Sequence, residues 1–270
     1  MKRAKYISPI CLILLYLITN TGCNKSSDPT PTLALPPSTS IDMEGLSDFS
    51  SKKKSTFVSS DSTHFKKAWK FVHNWDSISI KLVFTPKLIF IEALKDKSSV
   101  YDDVNKQWTW TYTKNITGDG SYLATLTGKI DNDSVNWVMT VSRINGDGLY
   151  NFKWIEGRTD IKQTGGRWKL YDPISNGAYL LINWKRESDI VKWIKYTNIC
   201  ETDPNKGNFI KYGTTNDIDY NAYIDITSNC PDKTAKIEWN TNTYAGRIIY
   251  ESWTLGWDSS LKNLDPVQND

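Results

Sequence analysis

Enzymatic chemistry needs a nucleophile, a proton carrier or a set of metal ligands, and this 270-residue chain offers few candidates. Its two histidines, His64 and His73, are nine residues apart. On a helix that spacing is about 900°, half a turn out of phase, so the rings point to opposite sides and cannot share a metal. Carboxylates are more plentiful. Glu156, Glu187, Glu238 and Glu251 fall within or beside segments of alternating hydrophobicity. Counting by two puts Glu187 and Glu238 on polar faces and lets Glu156 and Glu251 point inward beside Trp154 and Trp253. A carboxyl buried among aromatic rings has a raised pKa and could serve as a general acid, as in glycoside hydrolysis. An ion pair with Arg158 or Arg247 is the plainer use. Asp217, Asp219, Asn221 and Asp225 are oxygen donors of the kind Ca2+ takes, without the Gly and terminal Glu of an EF-hand loop. The run from Asp203 to Asn208 reads as a turn. No HExxH, paired CxxC, GxSxG or phosphate-binding loop occurs. The residues therefore specify no catalytic centre, no metal site and no cofactor, and the expectation is a non-catalytic protein.

Tryptophan is the compositional oddity, with 12 residues. Most of these rings fall on the apolar side of the alternation and belong to a core. A sharper use is a cavity lined by Trp108, Trp110, Trp137 and Trp154, able to hold a small apolar ligand. Trp168, Trp184 and Trp193 are the candidates for exposed rings that stack on sugars.

The elements that must position these residues are legible from periodicity. Phe65, Ala68, Trp69, Val72 and Trp75 form one apolar stripe of an amphipathic helix, with Ser62 as a plausible N-cap. Pro86 interrupts the pattern, which predicts one or two helices within 62–95. Beyond residue 100 the period is two. Trp108, Trp110 and Tyr112 alternate with threonines, and Val135, Trp137, Met139 and Val141 alternate with polar residues. That is the signature of strands with one dry and one wet face. Connections such as Thr117-Gly118-Asp119-Gly120 and Asn145-Gly146-Asp147-Gly148 supply hairpin turns. About 11 strands are expected in 96–258, followed by a disordered tail over 259–270. So many consecutive hairpins curl or close a sheet. The expected fold class is mainly β (α+β), a strongly curved or closed antiparallel up-and-down meander or barrel with the helices packed on it. This loosely resembles the half-open barrel of lipoprotein-carrier proteins. A transmembrane barrel also alternates by two, but such barrels usually end on an aromatic strand residue; this chain ends in Asp265-Pro266-Val267-Gln268-Asn269-Asp270.

The amino terminus is of another kind. Lys2, Arg3 and Lys5 precede an apolar stretch from Ile10 to Ile18, the layout of an export signal. Thr21-Gly22-Cys23 then resembles the lipobox of bacterial lipoproteins, Bacteroidetes-type in particular, with Asn20 where an aliphatic residue is usual. The resemblance implies a signal peptide over 1–22, cleavage before Cys23 and lipidation of that cysteine. Three acyl chains would tie the protein firmly to a membrane, and the resemblance places it in the cell envelope, on the periplasmic or surface side of the outer membrane. Residues 23–61 are rich in Pro, Ser, Thr and Lys and read as a flexible tether, with a short edge strand at Ile41–Met43. Lys2, Arg3 and Lys5 also account for the whole formal charge of +3, so nothing in the balance points to nucleic acid.

An exported chain meets an oxidising compartment. Cys200 and Cys230 close strands two apart at the same end of the sheet. Strand ends two apart lie about 9.6 Å from each other, so a Cys200–Cys230 disulfide requires loop residues to close the gap; two free thiols are the alternative. The functional expectation is a membrane-anchored protein that binds an apolar ligand or an envelope partner protein, with carbohydrate or adhesion binding as the second reading and a hydrolase as the third.

Overall fold

The computed structural model of the protein describes residues 32–51, 61–95, 98–145, 148–188, 190–229 and 232–268. The export signal, Cys23 and Cys230 lie outside the described residues. A short 3-10 turn at Ser38–Ser40 is followed by α1 (Glu44–Ser51) and α2 (Thr63–Lys95). Fourteen strands then form one antiparallel sheet in which each pairs with the next in chain order. The first seven are β1 (Val100–Asp102), β2 (Gln107–Ile116), β3 (Gly120–Asp131), β4 (Ser134–Ile144), β5 (Phe152–Asp160), β6 (Gly165–Tyr171) and β7 (Ala178–Glu187). The rest are β8 (Ile190–Asn198), β9 (Phe209–Thr214), β10 (Ala222–Asn229), β11 (Asp232–Trp239), β12 (Gly246–Tyr250), β13 (Trp253–Trp257) and β14 (Val267–Gln268).

The sheet holds fourteen strands where about 11 were expected. The sheet does not close, because β1 and β14 are its two edges. Helix α2 explains why. Its N-terminal half meets β12 and β13: Phe65 packs against Trp257 at 5.5 Å and Phe71 against Tyr250 at 5.4 Å. Its C-terminal half meets β2 and β3, where Lys114 of β2 pairs with Glu92 at 2.6 Å. The sheet therefore curls around a helix that touches strands near both of its ends. From β5 to β12 the outward face carries Arg158, Arg167, Lys195, Lys211, Lys236 and Arg247.

Two expectations about the ends of the domain are corrected. Residues 33–51 are not a tether. Ile41, Met43, Leu46 and Phe49 are buried in the main core. The Tyr196 hydroxyl donates to the Ile41 carbonyl at 2.7 Å, and Trp168 Nε1 donates to Ser40 Oγ at 3.1 Å. Leu46 and Phe49 sit three apart on one face of α1, and their burial against the sheet helps offset the cost of ordering the segment. Nor is 259–268 a loose tail. Leu261 is buried, and Asn263 Oδ1 accepts the His64 backbone N–H at 3.0 Å.

The dry face is built on a size rule that spans strands. One register row reads Trp108, Gly128, Trp137, Gly157, Trp168 across β2 to β6. A Cβ on Gly128 would stand 2.6 Å from Trp137, and one on Gly157 would enter the Trp168 ring. Glycine on alternate strands lets three indoles lie side by side on an inwardly curved surface.

Candidate functional site

In an up-and-down sheet every second connection falls at the same end. The turn at 117–119 and the loops at 145–151, 172–177 and 199–208 thus gather at one end, beside the middle of α2. Between them and the helix run two adjoining cavities, of about 410 and 530 Å3, that share Leu82, Asp172 and Tyr179. Together they form a groove. Its first half is bordered by Tyr122, Leu149, Trp154, Pro86 and the Asp119–Arg143 pair. Its second half is bordered by Trp75, Leu180, Asn198, Cys200 and Asp203.

Tyr179 holds the groove wall together for a reason visible in the chain. Pro86 lies inside α2 and has no N–H, so the carbonyl of Leu82, four residues earlier, lacks its helical donor. The Tyr179 hydroxyl donates to that carbonyl at 2.5 Å. Burial pushes the Tyr179 hydroxyl well above the ordinary tyrosine pKa, with the charge of Asp172 adding to the effect. It is therefore a permanent donor at any physiological pH.

The rim's polar groups are engaged locally. Asp172 accepts the backbone N–H groups of Ile174 and Ser175 and the Ser175 hydroxyl. Burial alone would raise its pKa, but these bonds outweigh burial and hold it below the usual carboxylate value. Asp203 accepts from the Asn205 N–H at 2.8 Å and from Asn198 Nδ2 at 2.7 Å, and is lowered by these bonds. Asp119 accepts the Thr85 hydroxyl at 2.8 Å. Burial and the Asp119 contact push Tyr122 up to about 12. What the groove offers to a visitor is chiefly apolar: Trp75, Leu82, Leu180, Leu149 and the ring faces of Tyr179 and Trp154.

Of the four tryptophans expected to line a cavity, Trp154 borders this groove. A bulge aims it there. Met139 pairs with Ile155 and Thr140 with Lys153, which leaves Trp154 as the extra residue of β5. Trp108, Trp110 and Trp137 are instead core: Trp108 packs on Tyr101 at 4.6 Å, Trp110 on Trp137 at 5.9 Å, and Trp137 Nε1 donates to Thr159 Oγ1 at 2.9 Å. Trp168 and Trp184 are buried too, so among the three sugar-stacking candidates only Trp193 faces outward.

The carboxylates do not form a catalytic pair. The bulge at Trp154 shifts the parity of β5, so Glu156 faces outward, not inward. There it meets Lys153 at 2.6 Å, Lys169 at 3.0 Å and the Tyr171 hydroxyl at 2.5 Å. Burial opposes its ionisation, but these three partners prevail and bring its pKa to about 2. Glu251 lies exposed in the β12–β13 turn with φ 53°. Glu238 is held by Arg247 and Lys236, both at 2.6 Å, and Glu187 by Lys192 at 3.4 Å. His64 bonds the Gly256 carbonyl at 2.9 Å while His73 stacks on Trp69 at 4.2 Å. Asp217 accepts the N–H groups of Asp219 and Tyr220 and so closes a turn. Among the described residues no group of three or more His, Cys, Asp or Glu is placed to hold a metal. Cys200 is a free, half-buried thiol on the groove wall, 3.4 Å from Thr202 Oγ1.

The groove residues Tyr179, Leu82 and Leu180 gave no sequence signal beyond Pro86 inside an apolar helical period. Comparison with family models, with curated proteins and with solved structures finds no match for this chain.

Proposed function

We propose that this protein is a lipid-anchored binding protein of the bacterial cell envelope, held at the membrane through Cys23, whose β domain takes an apolar ligand into the groove beside α2. The observation that carries the reading is the division of labour on the groove wall. Its acids and amides are tied to neighbouring groups, and the larger half of the groove presents mainly aromatic and aliphatic surface. A concavity of several hundred Å3 lined this way suits an acyl chain or the apolar side chains of a partner better than a sugar or an ion. The combined groove is open along the rim, which suits capture and release.

Native mass spectrometry of the full-length chain, released from detergent, tests the groove. A bound acyl compound is expected with the wild-type chain and is lost in Leu82→Arg. Leu82 is 37% exposed, so an arginine there fills the groove without entering the core. A wild-type chain that neither retains an apolar compound nor binds a fluorescent fatty acid saturably would overturn the ligand. Cys23→Ala separates the anchor from the ligand: it should release the protein from membranes and leave fatty-acid binding intact. Unchanged membrane retention would defeat the anchoring.

A further inference from the structure

The strand register also organises the outward face. Asn136 of β4 stands opposite Arg158 of β5, and Arg158 opposite Arg167 of β6. The same row passes Asn183 of β7 and reaches Lys195 of β8, which stands opposite Lys211 of β9. It continues through Asp225 of β10 to Lys236 of β11. At about 4.8 Å between strands, the eight positions cover roughly 34 Å along the sheet. They carry five basic side chains, two amides and one acid.

Like charges placed directly opposite one another destabilise a sheet, yet this row does so twice, at Arg158–Arg167 and at Lys195–Lys211. Some of the charge is answered within the protein. Arg158 reaches Asp131 at 3.4 Å, and Lys236 reaches Glu238 at 2.6 Å. Arg167, Lys195 and Lys211 make no close ion pair among the described residues, although Asp225 lies near enough to Lys211 and Lys195 to feel their charge. Aromatic rings flank them instead. Lys195 Nζ lies 3.7 Å from the Phe209 ring centre, and Lys211 Nζ lies 5.4 Å from Trp193 and 5.2 Å from Tyr223. Gly213 stands between Trp193 and Tyr223 in the neighbouring row, and the Tyr223 ring occupies the space its missing side chain leaves. At the other end of the row a depression of about 450 Å3 opens beside Arg158, Arg167 and Lys169, with Glu156, Leu181 and Ile199 also on its wall.

We propose that this row is a binding site for a linear acidic glycan lying across strands β4 to β11. One acid, Asp225, does not balance these cations, which complement carboxylate or sulfate groups spaced along a chain. Asn136, Asn183 and Asp225 interrupt the cations with hydrogen-bonding groups suited to hydroxyls. Asp225 calls for a donor among the anions, and each sugar of an acidic glycan carries hydroxyls that can donate to it. The flanking rings of Trp193 and Tyr223 offer apolar faces on which sugar rings pack. The site lies on the face opposite the groove and stands independently of it.

Affinity electrophoresis of the full-length chain in non-ionic detergent tests the proposal, with polygalacturonate, a neutral galactan or single-stranded DNA cast into the gel. Polygalacturonate should retard the protein and the neutral galactan should not. Retardation should fade as salt rises from about 0.01 to 1 M, over which the Debye length shrinks from roughly 30 to 3 Å. The double variant K195Q/K211Q removes two outward-facing, half-buried charges and should weaken retardation roughly tenfold, and R167Q should weaken it separately. Both sites are outward-facing, and an unchanged melting transition verifies the fold; W193A supplies a second, uncharged test and should also weaken binding. Equal retardation of wild type and K195Q/K211Q overturns the proposal, as does no retardation at the lowest salt. Retardation by single-stranded DNA as strong as by polygalacturonate overturns the assignment to glycan.

Discussion

Tyr179 and Pro86 should be energetically coupled although neither touches the chemistry of the other. Pro86 removes the donor that the Leu82 carbonyl would have in a regular helix, and the Tyr179 hydroxyl at 2.5 Å replaces it. In Tyr179→Phe the carbonyl faces an apolar ring with no donor. An unsatisfied buried acceptor costs about 1–3 kcal/mol. Tyr179 is nearly buried, but Leu82 lies at the groove and water can reach part of its surface. The lower half of that range, about 1–2 kcal/mol, therefore applies. In Pro86→Ala the restored N–H at position 86 can bond the Leu82 carbonyl, and the hydroxyl becomes redundant. Tyr179→Phe should then cost only a few tenths of a kcal/mol. The assay is equilibrium unfolding in urea of the four forms, wild type, two singles and the double, compared at constant m-value. The expected coupling is about 1 kcal/mol or more. Independent sites add to within roughly 0.3–0.5 kcal/mol, so additivity within that margin would refute the assignment of Tyr179 as the donor that repairs the proline.

Two further predictions concern the sheet. Gly157→Ala places a Cβ inside the Trp168 ring and 2.6 Å from the Arg167 carbonyl; it should lower stability by about 2–3 kcal/mol, read as a shifted urea midpoint, and Trp168→Leu should relieve part of that loss, whereas a Gly157→Ala chain as stable as wild type would show that the indole row is not tightly packed. Glu156 has an ordinary pKa of 4.5 lowered to about 2 in the folded protein, so the unfolded chain binds its proton first; the stability it contributes is present above pH 4.5 and is lost as pH falls through about 2. Glu156→Gln should remove that component, so the difference in stability between wild type and variant should shrink across this window, and a difference that stays flat with pH would sink the reading.

Much of the sheet could be read directly because its physics is local. Trp108, Trp110 and Tyr112 must share a face if the chain is extended, and Gly118, Asn132 and Asn145 adopt the positive φ that tight turns need, at 82°, 54° and 57°. The failures are equally local. Alternation survives only until an extra residue intervenes, and Trp154 is that residue. Counting by two across it turned Glu156 inward, whereas the bulge turns it to solvent and three partners. Over residues 33–51 composition points to a tether, because Pro, Ser and Thr dominate and the stripe of Ile41, Met43, Leu46 and Phe49 is short. It packs because the curled sheet supplies the surface, a tertiary effect that no short window contains.

The functional surfaces were hidden for a different reason. The groove depends on which loops share an end of the sheet and on a carbonyl orphaned by Pro86, and the basic row depends on the register of eight strands. Arg158 and Arg167 are nine residues apart and Lys195 and Lys211 sixteen, spacings that mean nothing until hairpin lengths are fixed. Once they are fixed, the β8–β9 hairpin forces its charges together: its pairs share one residue-number sum, and a register slipped by one residue would send Lys211 to the dry face and break the row. A one-residue insertion in the 199–208 loop would slip that register unless the loop absorbs it. Circular dichroism and glycan retardation measured together on such an insertion distinguish the two. Native spectrum with retained retardation shows that the interior contacts of Tyr196, Ile210 and Ile226 set the register; retardation lost with the spectrum intact shows that loop length does.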